Sequence, residues 1–490
     1  MKILNRSTIA SFLLLLVAAD VNGFTQPANH RVPSLRHRTP QYNSPCRGAC
    51  QTRLRATVEE EQEFDKMLQN YKLNEAIGYF RSHPDLELSR DRWNKIFAAI
   101  EGRTLEAEEQ AVNTRREAEF PLMSKARKEM SDMYQTLKDE GHLRLFGAIT
   151  KDNMPAAGSH TVRPALLEEI TRLSMKALTP KPSNTLLYAG VILALLEGMA
   201  SLVYGLNLNL LVFITFVFAF GDRILLNGAI TETIAKVISP ETQAKITRHE
   251  AGHFLCAYLL GCPVEGYVLS GWAALKDARF GARGVSAGTS FFDPILSNQI
   301  TSSKVTRSSI DRYSIIVMAG IAAEAINYGR ADGGAGDEMA LIAFLMQLNG
   351  KPSAIPAWND VTIRNQARWG AMQAVLILRE YKECYHALVD ALERGGSLGD
   401  CIYAVEKAGR DHNKLPLKEP LGYIVESPGA GEEEWRTELP AERMEEKASE
   451  PNTAKPAPLD PEQSLETLRE YKQAMKEKLK NIEEQLSKLQ

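Results

Sequence analysis

The stretch Gln243-Ala244-Lys245-Ile246-Thr247-Arg248-His249-Glu250-Ala251-Gly252-His253-Phe254-Leu255-Cys256-Ala257-Tyr258-Leu259-Leu260 decides how the chain is read. It contains no proline, and Ala251, Leu255 and Leu259 recur every fourth residue, so it reads as one helix with an apolar face. Gly261 and Pro263 end it. On such a helix His249 and His253 lie one turn apart on the same face, where two imidazoles can grip one metal ion. Glu250 lies beside them, placed to take a proton from an attacking water. A lone histidine is more often structural than a ligand, but two at this spacing with a glutamate between them point to zinc. Cys256, one turn from His253, reads as a small buried residue rather than a fourth ligand.

The third ligand decides the class of site. A metzincin would need Gly and His after His253, where Cys256 and Leu259 stand. A gluzincin carries a Glu about twenty residues downstream, and Trp272, Ala273 and Ala274 occupy that window. The polar lead-in Pro240-Glu241-Thr242-Gln243-Ala244-Lys245 argues for a site outside a bilayer rather than inside one.

Two further motifs give the chain a family likeness. Gly320-Ile321-Ala322-Ala323-Glu324 is followed by Gly333-Gly334-Ala335-Gly336-Asp337-Glu338. Together with His249–His253 they resemble the FtsH-type membrane zinc metalloproteases, over about residues 240–405. The resemblance implies a mostly helical zincin-like peptidase domain and an acidic third ligand, Asp337 or Glu338. Asp337 is preferred because the family uses Asp, although it could equally cap the helix that follows. FtsH-type enzymes carry an ATPase module between membrane segment and protease. No GxxxxGK[ST] occurs here, so no ATP binding is expected. The likeness is to the ATPase-less, plastid-targeted relatives of plants and algae. Gly284 to Asp293 reads as a strand leaving the metal-site helix, either a structural hairpin or an edge for substrate strand addition.

Outward from the site the chain is segregated. Thr185 to Tyr204 is apolar apart from Glu197 and has the length of one membrane span. After Gly205–Asn209 the apolar run resumes from Leu210 to Phe220 and closes at Asp222-Arg223, so 185–226 reads as a transmembrane helix or hairpin. Lys176 and Lys181 on one side, and Arg223 and Lys236 on the other, put both ends on one face of the membrane. Glu197 needs a partner or the loop, because a lipid-facing carboxylate is costly.

Residues 59–180 read as a soluble helical domain and 239–410 as the peptidase unit. Residues 411–460 are Pro- and Glu-rich and read as a disordered linker, and 461–490 as an amphipathic or coiled-coil helix. The fold class expected is therefore mainly α with a small β element. Residues 1–23 read as a signal peptide and 24–57, rich in Arg without one Asp or Glu, as a transit-like stretch. Together they resemble the bipartite presequence of algae with complex plastids, which implies a plastid membrane, the thylakoid first among them.

Composition closes off other classes. With 58 basic and 61 acidic residues in 490, a nucleic-acid partner held by bulk charge is not expected. Six cysteines exclude a disulfide scaffold, and the four outside the leader have no CxxC spacing. The partners expected are polypeptide substrates, a lipid bilayer, and a further copy of the chain or a partner membrane protease. The activity expected is zinc-dependent endopeptidase; the competing reading is a proteolytically silent membrane scaffold or assembly factor that keeps the fold.

Overall fold

A computed structural model describes residues 62–83, 88–113, 123–181, 185–226, 228–239, 241–281, 287–349 and 358–425. All of them fall in one compact unit, Glu59–Gln490. The expected leader segments 1–23 and 24–57 and the C-terminal helix 461–490 lie outside the described residues. Among the described residues the fold is mainly helical with four short strands. Residues 62–69 are helical and are followed by α1 (Leu73–Ser82), α2 (Arg90–Asn113) and α3 (Lys125–Asp139). Next come β1 (Ala156–Gly158), α4 (Pro164–Thr171), α5 (Thr185–Tyr204), α6 (Leu208–Leu225) and α7 (Ala229–Ile238). Then follow α8 (Glu241–Leu259), β2 (Val264–Val268), α9 (Gly271–Lys276), α10 (Ala278–Gly281), β3 (Gly288–Phe291) and α11 (Pro294–Ser302). The unit ends with α12 (Arg307–Tyr328), α13 (Ala335–Leu348), α14 (Asp360–Glu380), α15 (Lys382–Glu393), α16 (Leu398–Asp411) and β4 (Tyr423–Val425).

At the centre α12 lies between α8 and α14, and small residues set how closely they approach. A Cβ on Gly252 of α8 would stand 2.5 Å from the Ala319 carbonyl oxygen, and one on Gly370 of α14 would stand 2.9 Å from that of Ser314. Both are closer than real side chains tolerate, so glycine is required where the backbones touch. The α8 C-terminus is closed from outside the helix. Gly147 and Ile149 donate their N–H groups to the carbonyls of Tyr258 (3.0 Å) and Leu259 (2.9 Å). Gly261 follows at φ 77°, the left-handed turn that ends helices.

Those bonds change the domain picture. Residues 59–180 do not stand as a separate body: Phe97, Met130, Tyr134 and Phe146 share one continuous core with Phe254, Tyr258, Ile316 and Val405. The Tyr134 hydroxyl donates to Val264 O (2.9 Å), and Trp93 Nε1 donates to Gly399 O (2.8 Å). Buried Glu406 of α16 accepts from the N–H of Leu145 (2.9 Å) and the hydroxyl of Tyr258 (2.7 Å), joining three segments at one carboxylate.

Of the linker expected over 411–460, only 411–425 are among the described residues. Residues 412–425 fold back, and β4 pairs in parallel with β1, Ala156 opposite Tyr423 and Gly158 opposite Val425. The second sheet is the antiparallel pair β2–β3, with a bulge between Val264 and Gly266. Glu265 at the bulge is fully buried and meets Arg127 of α3 (2.7 Å) and Ser290 of β3 (2.7 Å). Burial alone would raise its pKa; the Arg127 charge outweighs that and holds the carboxylate below its usual range.

α5 and α6 are consecutive helices joined by three residues and packed on each other. By length and composition α6 is long and apolar enough to cross a membrane, and Gly190–Tyr204 of α5 is a shorter apolar stretch beside it. Of the eighteen residues of α6, only Asp222 is buried, which separates it from the core helix of a soluble protein. In sequence the apolar run closes at Asp222-Arg223. The helix continues to Leu225, about 27 Å in length, because Asp222 turns inward. Its carboxylate accepts from Ile230 N (2.9 Å), Thr231 N (3.0 Å) and the Thr231 hydroxyl (2.6 Å), capping α7. Glu197 finds its partner on the neighbouring helix, the hydroxyl of Thr215.

Candidate metal centre

α8 carries His249 and His253 on the face it turns to α12, and both rings are buried. His253 Nδ1 lies 2.7 Å from the carbonyl oxygen of Ile316. A carbonyl only accepts, so Nδ1 carries the hydrogen and the neutral ring presents its Nε2 lone pair. His249 Nδ1 lies 2.7 Å from Glu324 Oε1, and a carboxylate there imposes the same tautomer. Glu324 is itself fixed by the N–H groups of Asp332 (2.7 Å) and Gly333 (3.0 Å). Burial would raise its pKa, but the hydrogen bond and charge of His249 hold it below the usual carboxylate range.

The two Nε2 atoms point at each other across 3.1 Å. Asp337 Oδ2, from the first turn of α13, completes the group at 2.9 Å from His249 Nε2 and 3.4 Å from His253 Nε2. Two lone pairs and an anionic oxygen facing one point repel each other unless a cation or protons sit among them. The charges respond accordingly. Burial pushes His249 down, yet its hydrogen bonds to Asp337 and Glu324 outweigh that and hold it up to about 10. For Asp337 burial acts upward, and the charge of His253 with the hydrogen bond of His249 overrides it and pulls the group far below the carboxylate range. Among the described residues the group of His, Cys, Asp and Glu side chains able to hold a metal ion is His249, His253 and Asp337, their ligand atoms within 4.8 Å of one another. Glu338, the other carboxylate considered from sequence, is not in it. Neither is Cys256, whose thiol is buried in apolar surroundings that push its pKa up.

Glu250 is buried beside the two rings, and burial raises its pKa above the usual carboxylate value. Its Oε2 accepts a hydrogen bond from the Thr289 hydroxyl of β3 at 2.9 Å. Gly320 of α12 lies directly beneath the imidazoles. A Cβ there would stand 2.5 Å from His253 Nε2 and nearer still to His249 Nε2. Gly334, at φ 88°, turns the chain so that α13 can start with Asp337 at the rings.

Four contributors were not assigned from the sequence: Glu324 as the partner of His249, the Ile316 carbonyl, Thr289, and Gly320. Gly320 and Glu324 open and close the motif Gly320-Ile321-Ala322-Ala323-Glu324, whose spacing could have raised them. The Ile316 carbonyl is backbone and left no sequence signal. Of the stretch from Gly284 to Asp293, Gly288–Phe291 is strand, whereas Asp293 caps α11 and takes Arg312 at 2.7 Å; residues 282–286 lie outside the described residues.

Searches of protein-family models, curated proteins and solved structures found no match for this chain.

Proposed function

We propose that the protein is a membrane-anchored zinc metalloendopeptidase without an ATPase module. The observation that carries this reading is the convergence of His249 Nε2, His253 Nε2 and Asp337 Oδ2 on one point, with the carboxylate of Glu250 next to it. A structural zinc site closes with four protein ligands, whereas a hydrolytic site has three and an open position; this group has three. The donor set fits zinc, with two neutral imidazoles held by their Nδ1 atoms and one carboxylate. When bound, zinc acidifies water toward neutrality and polarises a carbonyl.

The protein's own residues supply the rest. Glu250, raised by burial, takes the proton of the attacking water at its carboxylate and passes it to the leaving amine. Thr289 holds that carboxylate in place. β3 has one strand partner, β2, among the described residues. β3 also packs against the metal-site helix, so a polypeptide adding to it as a further strand would lie near the site. The exposed apolar pair α5–α6 supplies the anchor, and the resemblance to FtsH-type proteases supports both parts of the reading. Placement in a plastid membrane rests on the composition of residues 1–57.

Glu250→Gln tests the activity. Zinc content should be unchanged, and cleavage of an unfolded polypeptide such as casein should be lowered by at least about 100-fold. Absence of cleavage by the zinc-loaded unsubstituted protein would instead favour the silent scaffold.

A further inference from the structure

Both ends of the α5–α6 hairpin are tied to the metal centre. On the entry side Ala331 N donates to Ala177 O (2.9 Å) and Lys181 N donates to Ala331 O (3.0 Å). Ala331 is followed by Asp332 and Gly333, whose N–H groups hold Glu324 against His249. The four residues from Lys181 to Thr185 span at most about 14 Å along any path. On the exit side Asp222 clamps the start of α7, and α7 leads into α8, where His249 lies eight residues, about 12 Å, from the first turn. Lys245 of α8 joins the two sides through Asp332 at 2.6 Å. The metal centre therefore lies within about 30 Å of the first residue of α5.

The elements between hairpin and site present a distinctive surface. α7 starts three residues after Leu226, the residue that caps α6. On one face it leaves Ile234 48% and Val237 66% exposed. Trp272 of α9 is 40% exposed, and its Nε1 donates to Thr233 Oγ1 (3.1 Å), which lays the indole beside that face. Glu232 accepts from Gly271 N (2.8 Å), so α9 is locked to α7. α6 and α7 are in contact, Ile224 and Leu225 at the end of α6 are exposed, and Arg223 on α6 and Lys276 on α9 are exposed cations. An apolar helix face with a tryptophan and basic residues, starting where an apolar helix ends, has the chemistry of the bilayer interface.

We infer that α7 and α9 rest on the bilayer surface, which seats the start of the metal-site helix α8 close to the headgroups. This rests on reading α5–α6 as a membrane hairpin, and the test separates the two. The full chain is substituted Val237→Cys, Val203→Cys or Lys407→Cys and labelled with an environment-sensitive fluorophore. Each is reconstituted into phosphatidylcholine vesicles containing about one-third phosphatidylglycerol, with the signal of the labelled unsubstituted chain subtracted. Lipids bearing a quencher high on the acyl chain should quench the labels at 203 and 237 at least about fivefold more than the label at 407. Quenching at 203 without quenching at 237 overturns the inference and leaves the hairpin reading standing. No quenching at 203 overturns both.

Discussion

Gly320→Ala adds one methyl group directly beneath the two imidazoles of the metal centre. The new carbon would stand 2.5 Å from His253 Nε2 and closer to His249 Nε2, where an unstrained contact needs about 3.5 Å. Each ring would have to retreat by about 1 Å, whereas metal–ligand distances hold to within about 0.2 Å in a working site. Structural zinc sites bind with about 10–16 kcal/mol, or about 2.5–4 kcal/mol for each of four ligands. Losing one ligand should weaken zinc binding by about 100- to 1,000-fold. The fold itself should suffer less. Alanine gains about 0.5–1 kcal/mol over glycine inside a helix, against an overpacking cost of about 1–3 kcal/mol. Zinc affinity is measured by competition with a chromophoric chelator, and the metal-free forms are compared by thermal melting. Gly78→Ala on α1, where a Cβ meets nothing within 4 Å, is the control. Zinc affinity of Gly320→Ala within threefold of the unsubstituted protein would refute the reasoning.

Three further outcomes follow from the same geometry. Glu324→Gln keeps an acceptor for His249 but removes its charge, and should weaken metal binding by about 10- to 100-fold in the same competition assay. Arg127→Ala leaves buried Glu265 without its guanidinium and should cost about 3–5 kcal/mol in urea unfolding; Arg127→Met with Glu265→Leu should recover most of that loss. The third concerns pH. His249 rises from 6.5 to about 10 in the metal-free protein, so its contribution to stability is complete below about pH 6.5 and fades as pH climbs toward 10. Metal binding runs the other way, because the nitrogen must shed its proton. Zinc affinity should therefore increase with pH across that window, and calorimetry in buffers of different ionisation enthalpy should show proton release on binding at pH 7.

Local geometry was the legible part of this chain. The one-turn spacing of His249 and His253 and the helix that carries them follow from proline-free apolar periodicity, and the apolar run of α5 from its composition. Choosing between Asp337 and Glu338 required the turn at Gly334, because adjacent helical residues point about 100° apart and one residue of slack decides which reaches the rings. The core shared by 59–180 and α8 was not legible. An amphipathic pattern shows which face is apolar but not what covers it, so α2 and α3 read as a body of their own. Residues 412–425 were missed for a different reason. β4 is held to β1 by main-chain pairing, which leaves no side-chain pattern in a polar stretch. The length of α6 was masked by Asp222, a charge that reads as a helix end until its hydrogen bonds to Ile230 and Thr231 are seen.

Zinc K-edge absorption on the purified full chain tests the central claim most directly. One zinc per chain is expected, bound by two imidazole nitrogens and oxygen ligands at about 2.0–2.2 Å, with no sulfur. Zinc well below half an equivalent, or a sulfur shell near 2.3 Å from a buried cysteine such as Cys256, would contradict it.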